Sequence, residues 1–206
     1  YTAHILKYKY GMNPLTVTWA PHMYTDIGWQ NFDNWIKVGG FDNILFSPNG
    51  KVHKLLTKLA FKNLLHPFQP FIIGQKTFAP KMAIMLNIPL IFYGESTSEW
   101  DSYTNFEDDE IDYFDEKKFN VKFNLGITAD DMYNMLHKKD DPIDKRDLLP
   151  YTYPTTEEYK QNKLTPIALG SFIKWDSSIQ TDIIKRELNW KTDELEHIPN
   201  EYNPNG

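Results

Sequence analysis

Apolar and polar positions follow two rhythms along the chain. Between residues 51 and 65, KVHKLLTKLAFKNLL, the apolar positions Val52, Leu55, Leu56, Leu59, Ala60 and Leu64 recur at i, i+3, i+4 spacing, which predicts one buried helix face. Lys51, Lys54, Lys58 and Lys62 line the other flank, and Pro67 and Pro70 close the segment. The same rhythm predicts helices over 2–10, stopped by Gly11, and over 31–40, stopped by Gly39-Gly40. Further helices are expected over 79–87, with Pro80 in the first turn, and over 128–136, with Thr128 as N-cap. A polar helix over 155–163 and a helix over 177–188 follow, the latter with Ile179, Ile183, Ile184 and Leu188 on one face. Short β-rich runs at 14–19, 42–47, 89–93 and 165–172 predict strands.

Strands alternating with helices point to right-handed crossovers and a parallel sheet, an α/β class. The expected strands end at Thr18, Ser47, Tyr93 and Leu169, and WAPH, PNGK, GESTSE and GSFIKWD lie at or beyond those ends. In open parallel sheets that edge is where ligands sit.

Composition narrows the class. With 41% hydrophobic and 15% aromatic residues in 206, the chain can bury a core. No apolar run approaches the length of a membrane span, and no basic-then-apolar leader pattern opens the chain. The absence of cysteine excludes disulfides, a Cys nucleophile and thiolate metal sites within these residues. Net charge is −6, which argues against nucleic acid as a partner. The charge is uneven: residues 97–150 hold 15 acids and 7 bases, leaving the remainder near +2. We therefore expect a core of 1–96 plus 165–206 and an acidic insertion over 97–164.

Among local motifs, SPNGKVH at 47–53 turns the chain into a helix through Asn49-Gly50, with Lys51 in the first turn. Backbone N–H groups and a lysine there form an anion site or an ordinary loop-to-helix turn. It is not a Walker A loop, since Val52 stands where Ser or Thr is needed. Gln75, Lys76 and Lys81 put polar and positive groups near the start of the next expected helix, either for phosphate contact or as flanking charge. Gly94-Glu95 follow a strand; the carboxylate could hold a phosphate-bridging metal or cap a helix. EDDEIDYFDE at 107–116 lacks EF-hand spacing, and the six histidines form no zinc pattern. Neither G-x-S-x-G nor G-x-G-x-x-G occurs. These residues support a ligand edge for an anionic ligand without naming a reaction.

The stretch KYGMNPLTVTWAPHMYTDIGWQNFDNWIKVGGFDNILFSPNGKVHKLLTKLAF, followed by HPFQPFIIGQKTFAPKMAIMLNIPLIFYGE, resembles the N-acetyl sugar amidotransferases of bacterial surface-polysaccharide and flagellin-glycan biosynthesis. ALGSFIKWDS and ELNWKTDELEHIPNEYN resemble that family's downstream segments. The likeness is dense from 8 to 95, moderate from 165 to 203 and weak between. It implies a Rossmann-like three-layer core of the PP-loop ATP pyrophosphatase type and a cytoplasmic enzyme. It further implies that ATP, with Mg²⁺, adenylates the acetamido group of a nucleotide-linked sugar. Ammonia from a partner glutaminase then displaces AMP to give an acetamidine. By the same resemblance Thr18, Trp19, Ala20 and Pro21 lie where adenine is held through main-chain contacts. Gly94 and Glu95 lie at the α-phosphate and its metal, and Glu95 and Lys51 are the catalytic candidates. Asn49, Lys51, Gln75 and Lys76 are candidates for phosphate or sugar-nucleotide contacts.

This chain departs from the family at both ends, where an upstream Cys-rich segment and a C-terminal part of relatives are expected to lie beyond it, and at two further places. The Ser-Gly-Gly-Lys-Asp-Ser loop of relatives would precede residue 1, and Ser96 and Trp100-Asp101 replace residues usual there. The expectation is a central fragment that does not turn over ATP alone. A PP-loop ligase acting on another carbonyl, such as a tRNA base, and a non-catalytic scaffold that docks a glutaminase are the alternatives. Which sugar is used, and whether the assembly is a homo-oligomer, stay open.

Overall fold

The structure, a computed structural model, describes residues 1–94, 126–137 and 143–192. Its helices are α1 (Thr2–Tyr8), α2 (Asp26–Lys37), α3 (Gly50–Leu64), α4 (Gln69–Leu86), α5 (Ala129–His137), α6 (Thr156–Gln161) and α7 (Ser177–Leu188). The strands are β1 (Thr16–Trp19), β2 (Asn43–Phe46), β3 (Leu90–Tyr93) and β4 (Thr165–Ala168), and 3₁₀ turns cover Lys145–Tyr151 and Leu169–Ser171.

The result is a mixed α/β fold, mostly helical, with two small parallel sheets, β1–β2 and β3–β4. In β3–β4, Leu90 faces Thr165 and Tyr93 faces Ala168 in parallel register. In β1–β2, Thr16 N–H donates to the Asp42 carbonyl and Ala20 N–H to that of Phe46, both at 2.9 Å. Both indices advance by four together, which only parallel strands do. Among the described residues the four strands thus form two pairs, where the sequence predicted one sheet.

The chain divides into two compact units. The first comprises Tyr1–Thr16, Pro21–Ile44 and Lys174 onward; the second comprises Val17–Ala20 and Leu45–Ile173.

In the first unit α2 starts at Asp26, five residues before the predicted 31, because Thr25 caps it. Its hydroxyl accepts from Gly28 N–H at 3.0 Å. Thr16 ties strand to helix: its hydroxyl donates to the Asp42 carbonyl (2.7 Å) and accepts from Asn43 Nδ2 (2.7 Å) and Trp35 Nε1 (3.3 Å). Lys7 Nζ donates to the Gly40 carbonyl and lies 5.2 Å from the Phe41 ring centroid. Gly40, at φ +61°, occupies the backbone region that favours glycine. On α2 the buried Asn31 grips the chain after α7. Its Nδ2 donates to the Lys191 carbonyl and its Oδ1 accepts from Lys191 N–H, both at 2.8 Å. In α7, Leu188 is buried as expected, but Gln180 takes the inner position and Ile179 is 56% exposed. Ile183 and Ile184 are partly buried, so of the predicted face only Ile179 lies outside it.

In the second unit α4 runs from Gln69, ten residues before the predicted start. Pro70 sits in its first turn and Pro80 lies inside it, where it withholds the N–H that the Lys76 carbonyl would accept. Burial compensates: Ile73, Gly74, Lys76, Thr77, Phe78, Pro80 and Ala83 are all buried. Ala83 packs with Ile91, Tyr153, Tyr159 and Leu164 into one cluster. Tyr159, wholly buried, comes from α6, whose capping box has Thr155 and Glu158 exchanging side chain-to-backbone bonds. Residues 143–161, placed by the sequence in the acidic insertion, therefore supply core side chains to this unit.

Candidate functional site

The second unit collects three of the expected ligand segments around one phenol. Trp19 ends β1 and is 5% exposed. Its ring meets Phe46 at 4.8 Å, Phe78 at 6.1 Å and Tyr151 at 5.4 Å between centroids. α3 contributes His53, 8% exposed, whose Nδ1 lies 2.8 Å from the Tyr151 hydroxyl, the two rings stacked at 25°. α4 pins the backbone that carries Tyr151. The Thr77 hydroxyl donates to the Pro150 carbonyl at 2.7 Å, and Lys81 Nζ donates to the Leu149 carbonyl. Tyr151 is thus held from both sides, by two carbonyl anchors behind and by His53 and Trp19 in front.

The sequence-predicted residues fall at different places around this centre. Trp19 is a core side chain, its faces and edges taken by Phe46, Phe78 and Tyr151, and adenine cannot stack on it. Ala20 is buried and its N–H is committed to the Phe46 carbonyl. Pro21 has no N–H and is exposed, and Thr18 is half-buried. Carbonyls of this segment can accept from an adenine amine, but Ala20 and Pro21 offer no N–H to a ring nitrogen. Asn49 is exposed and caps α3, its Oδ1 accepting from Lys51 N–H at 3.0 Å; the Lys51 side chain is exposed. Gln75 and Lys76 lie in the middle of α4 rather than at a helix start, which corrects the expected geometry: one residue apart, they diverge. Gln75 is exposed, whereas Lys76 is buried with Nζ 5.0 Å from the centre of the Tyr93 ring, at the end of β3. Gly94, the next residue, is exposed. Glu95 lies outside the described residues.

Tyr151 is the residue that sequence reading missed. It sits in LLPYTYP, an aromatic and proline-rich run inside an otherwise acidic region. That local change of composition is the signal that Leu148, Tyr151 and Tyr153 belong to the core.

Electrostatics follow burial. Burial pushes the Tyr151 phenol well above its ordinary value. It pushes the Lys81 ammonium down to about 8, against a smaller upward pull from Glu158. The folded chain therefore sheds the Lys81 proton before the unfolded chain does. From about pH 8 to the ordinary lysine value the unfolded state binds more protons, so stability rises with pH through that window. We expect a gain on the order of 1 kcal/mol after solvent screening, read from urea midpoints. Lys81→Met should remove the slope, and a slope unchanged in that variant would assign the effect elsewhere.

Among the described residues no three His, Asp or Glu side chains group to hold a metal ion, and no helix is long and apolar enough to cross a membrane. No family model matches the chain, and no curated protein sequence matches it.

Proposed function

We propose that this chain is the nucleotide-handling part of an ATP-dependent N-acetyl sugar amidotransferase with a Rossmann-like, PP-loop type core. One observation carries the reading: within the second unit Trp19, His53, Thr77 and Lys81, from segments that bear the resemblance, meet the stretch Leu149–Tyr151. Parallel strand pairing supports it as well, since parallel β-strands with helical crossovers are the architecture such cores use.

An amide oxygen is a poor leaving group. Adenylation of the acetamido oxygen forms a C–O–P linkage and expels pyrophosphate. Ammonia, delivered by a glutaminase, then adds to the imidate carbon, AMP departs with the oxygen, and proton loss leaves an acetamidine. Mg²⁺ would neutralise the phosphates; with Glu95 outside the described residues, no step is assigned to it. On this reading Lys51, at the first turn of α3, and Lys76, beside Tyr93, supply positive charge toward phosphate or sugar-nucleotide oxygens. Asn49 adds a polar contact, and Gly94 permits close approach at the end of β3. The reaction takes place in the cytoplasm, where ATP and nucleotide sugars are made.

The test uses the full gene product that carries this chain, with ammonium chloride as nitrogen source and nucleotide-linked diacetamido sugars as substrates. The expected result is pyrophosphate release that depends on the sugar and matches acetamidine formed, measured by mass spectrometry. Release of pyrophosphate without sugar, or no release with any acetamido sugar, would remove the reading. A gain of activity with a tRNA substrate would instead favour a ligase acting on a nucleobase carbonyl.

A further inference from the structure

The 2.8 Å contact between His53 Nδ1 and the Tyr151 hydroxyl admits two proton arrangements. In the first, the phenol donates to Nδ1 and the imidazole proton resides on Nε2. In the second, Nδ1–H donates to the phenol oxygen, and the phenolic hydrogen needs a different acceptor. The surroundings of Tyr151 decide between them. The residue is 2% exposed, and among the described residues its hydroxyl bonds to nothing except His53. The nearest indole, Trp19, offers an N–H that can only donate. The second arrangement would therefore bury an O–H with no acceptor, which folded proteins avoid. The first gives the phenol hydrogen an acceptor in Nδ1 and leaves Nε2–H to donate elsewhere.

We propose that Tyr151 is a positioning residue that fixes His53 as the neutral Nε2–H tautomer, so that any group meeting Nε2, from protein or ligand, does so as an acceptor. The geometry behind Tyr151 makes the lock rigid, because Thr77 and Lys81 hold the Pro150 and Leu149 carbonyls and leave the phenol little freedom to turn away. Burial also keeps the phenol protonated where an exposed tyrosine would ionise. Joined to the amidotransferase reading, on which this part rests, the lock takes His53 out of proton removal from the attacking ammonia. With hydrogen on Nε2 the basic atom is Nδ1, and Nδ1 can take a proton only by giving up the bond from Tyr151. His53, in the first turn of α3, then acts through Nε2–H as a donor to an oxygen.

Nitrogen NMR of the whole chain, labelled at histidine and studied at mildly alkaline pH, tests the tautomer directly. We expect the His53 signals to show hydrogen on Nε2 and a lone pair on Nδ1, with about a tenfold or greater preference. Tyr151→Phe, which removes only the hydroxyl, should reduce that preference to the few-fold value of free imidazole. Hydrogen found on Nδ1 in the unsubstituted protein would overturn the proposal, as would a preference that Tyr151→Phe leaves intact. Should that variant fail to fold, the unsubstituted protein's own signals still decide. The measurement needs no nucleotide or sugar, so loss of the amidotransferase reading leaves it standing, and its failure leaves that reading untouched.

Discussion

Gly74→Ala should destabilise the second unit by about 2 kcal/mol, although alanine is the better helix former. A Cβ built at Gly74 would lie 2.2 Å from Trp19 Cε2, 2.3 Å from Cζ2 and 2.6 Å from Cδ2. Distances that short force the indole or the helix to move. The indole has little room, because Phe46, Phe78 and Tyr151 pack around it, and α4 is held by Thr77 and Lys81 against residues 149–150. Overpacking a close-packed core costs roughly 1–3 kcal/mol, and steric overlap with a rigid ring belongs at the upper end. The helix gain from glycine to alanine returns up to about 1 kcal/mol. Urea midpoints followed by tryptophan fluorescence give the net effect. Gly74→Ala combined with Trp19→Leu should recover part of the loss, since the smaller side chain yields; strictly additive losses would show that the two residues do not press on each other.

Asn31→Leu should cost the first unit about 2–3 kcal/mol. The side chain makes two bonds to one peptide, donating to the Lys191 carbonyl and accepting from Lys191 N–H. Removing both leaves two backbone groups to find new partners at a half-buried place, at a net cost near 1 kcal/mol for each bond and more if water cannot enter. Asn34, one turn on, holds the Asn189 carbonyl at 2.9 Å and limits the loss by keeping the segment nearby. Asn31→Asp separates the two bonds. An ionised carboxylate still accepts from Lys191 N–H but faces the Lys191 carbonyl without a hydrogen, in a site where Asn31 is only 4% exposed. Its folded-state pKa is thereby raised above the ordinary carboxylate value of about 3.9. The stability it retains is present below that value and lost as pH rises through the folded pKa. The variant should therefore be weakest at neutral pH and recover toward the parent in acid. Denaturant midpoints for parent and variant across that range give the check, and parallel curves would place Asn31 outside the contact with Lys191.

What could be read in advance divides along physical lines. The helix at 50–64 was legible because a lysine flank and an apolar face repeat without interruption and Asn49-Gly50 marks the start. α4 was shortened because it is apolar nearly all round, so no periodicity stands out, and because Gly74 and Pro80 look like breaks. In place, Gly74 makes room for Trp19 and Pro80 is buried against the core. The polar–apolar exchange at Ile179 and Gln180 is not legible in the sequence because helical spacing gives a face only to within one residue. Residues 148–159 were folded into an acidic insertion by an average of charge over fifty residues, which hid a short aromatic run. Asn49, Lys51 and Gly94 are exposed just past β2 and β3, which pair in two separate sheets rather than along the one edge the alternation predicts. Tyr151 could not be assigned to the site from spacing, because its contact with His53 spans 98 residues of chain.

The cap at the start of α3 also sets a chemical lifetime. Asn-Gly is the pair most prone to deamidation, since glycine leaves its backbone nitrogen open to attack the asparagine side-chain carbon and close a succinimide ring. In the folded chain the Asn49 side chain is turned to Lys51 N–H, and Gly50 is already wound into the helix. Ring closure must wait until that first turn frays. Slow conversion of Asn49 to aspartate or isoaspartate during storage is then a clock for local opening of α3. Buffers and ligands that quiet this end of the helix should lengthen the shelf life of the protein, even where its melting behaviour is unchanged.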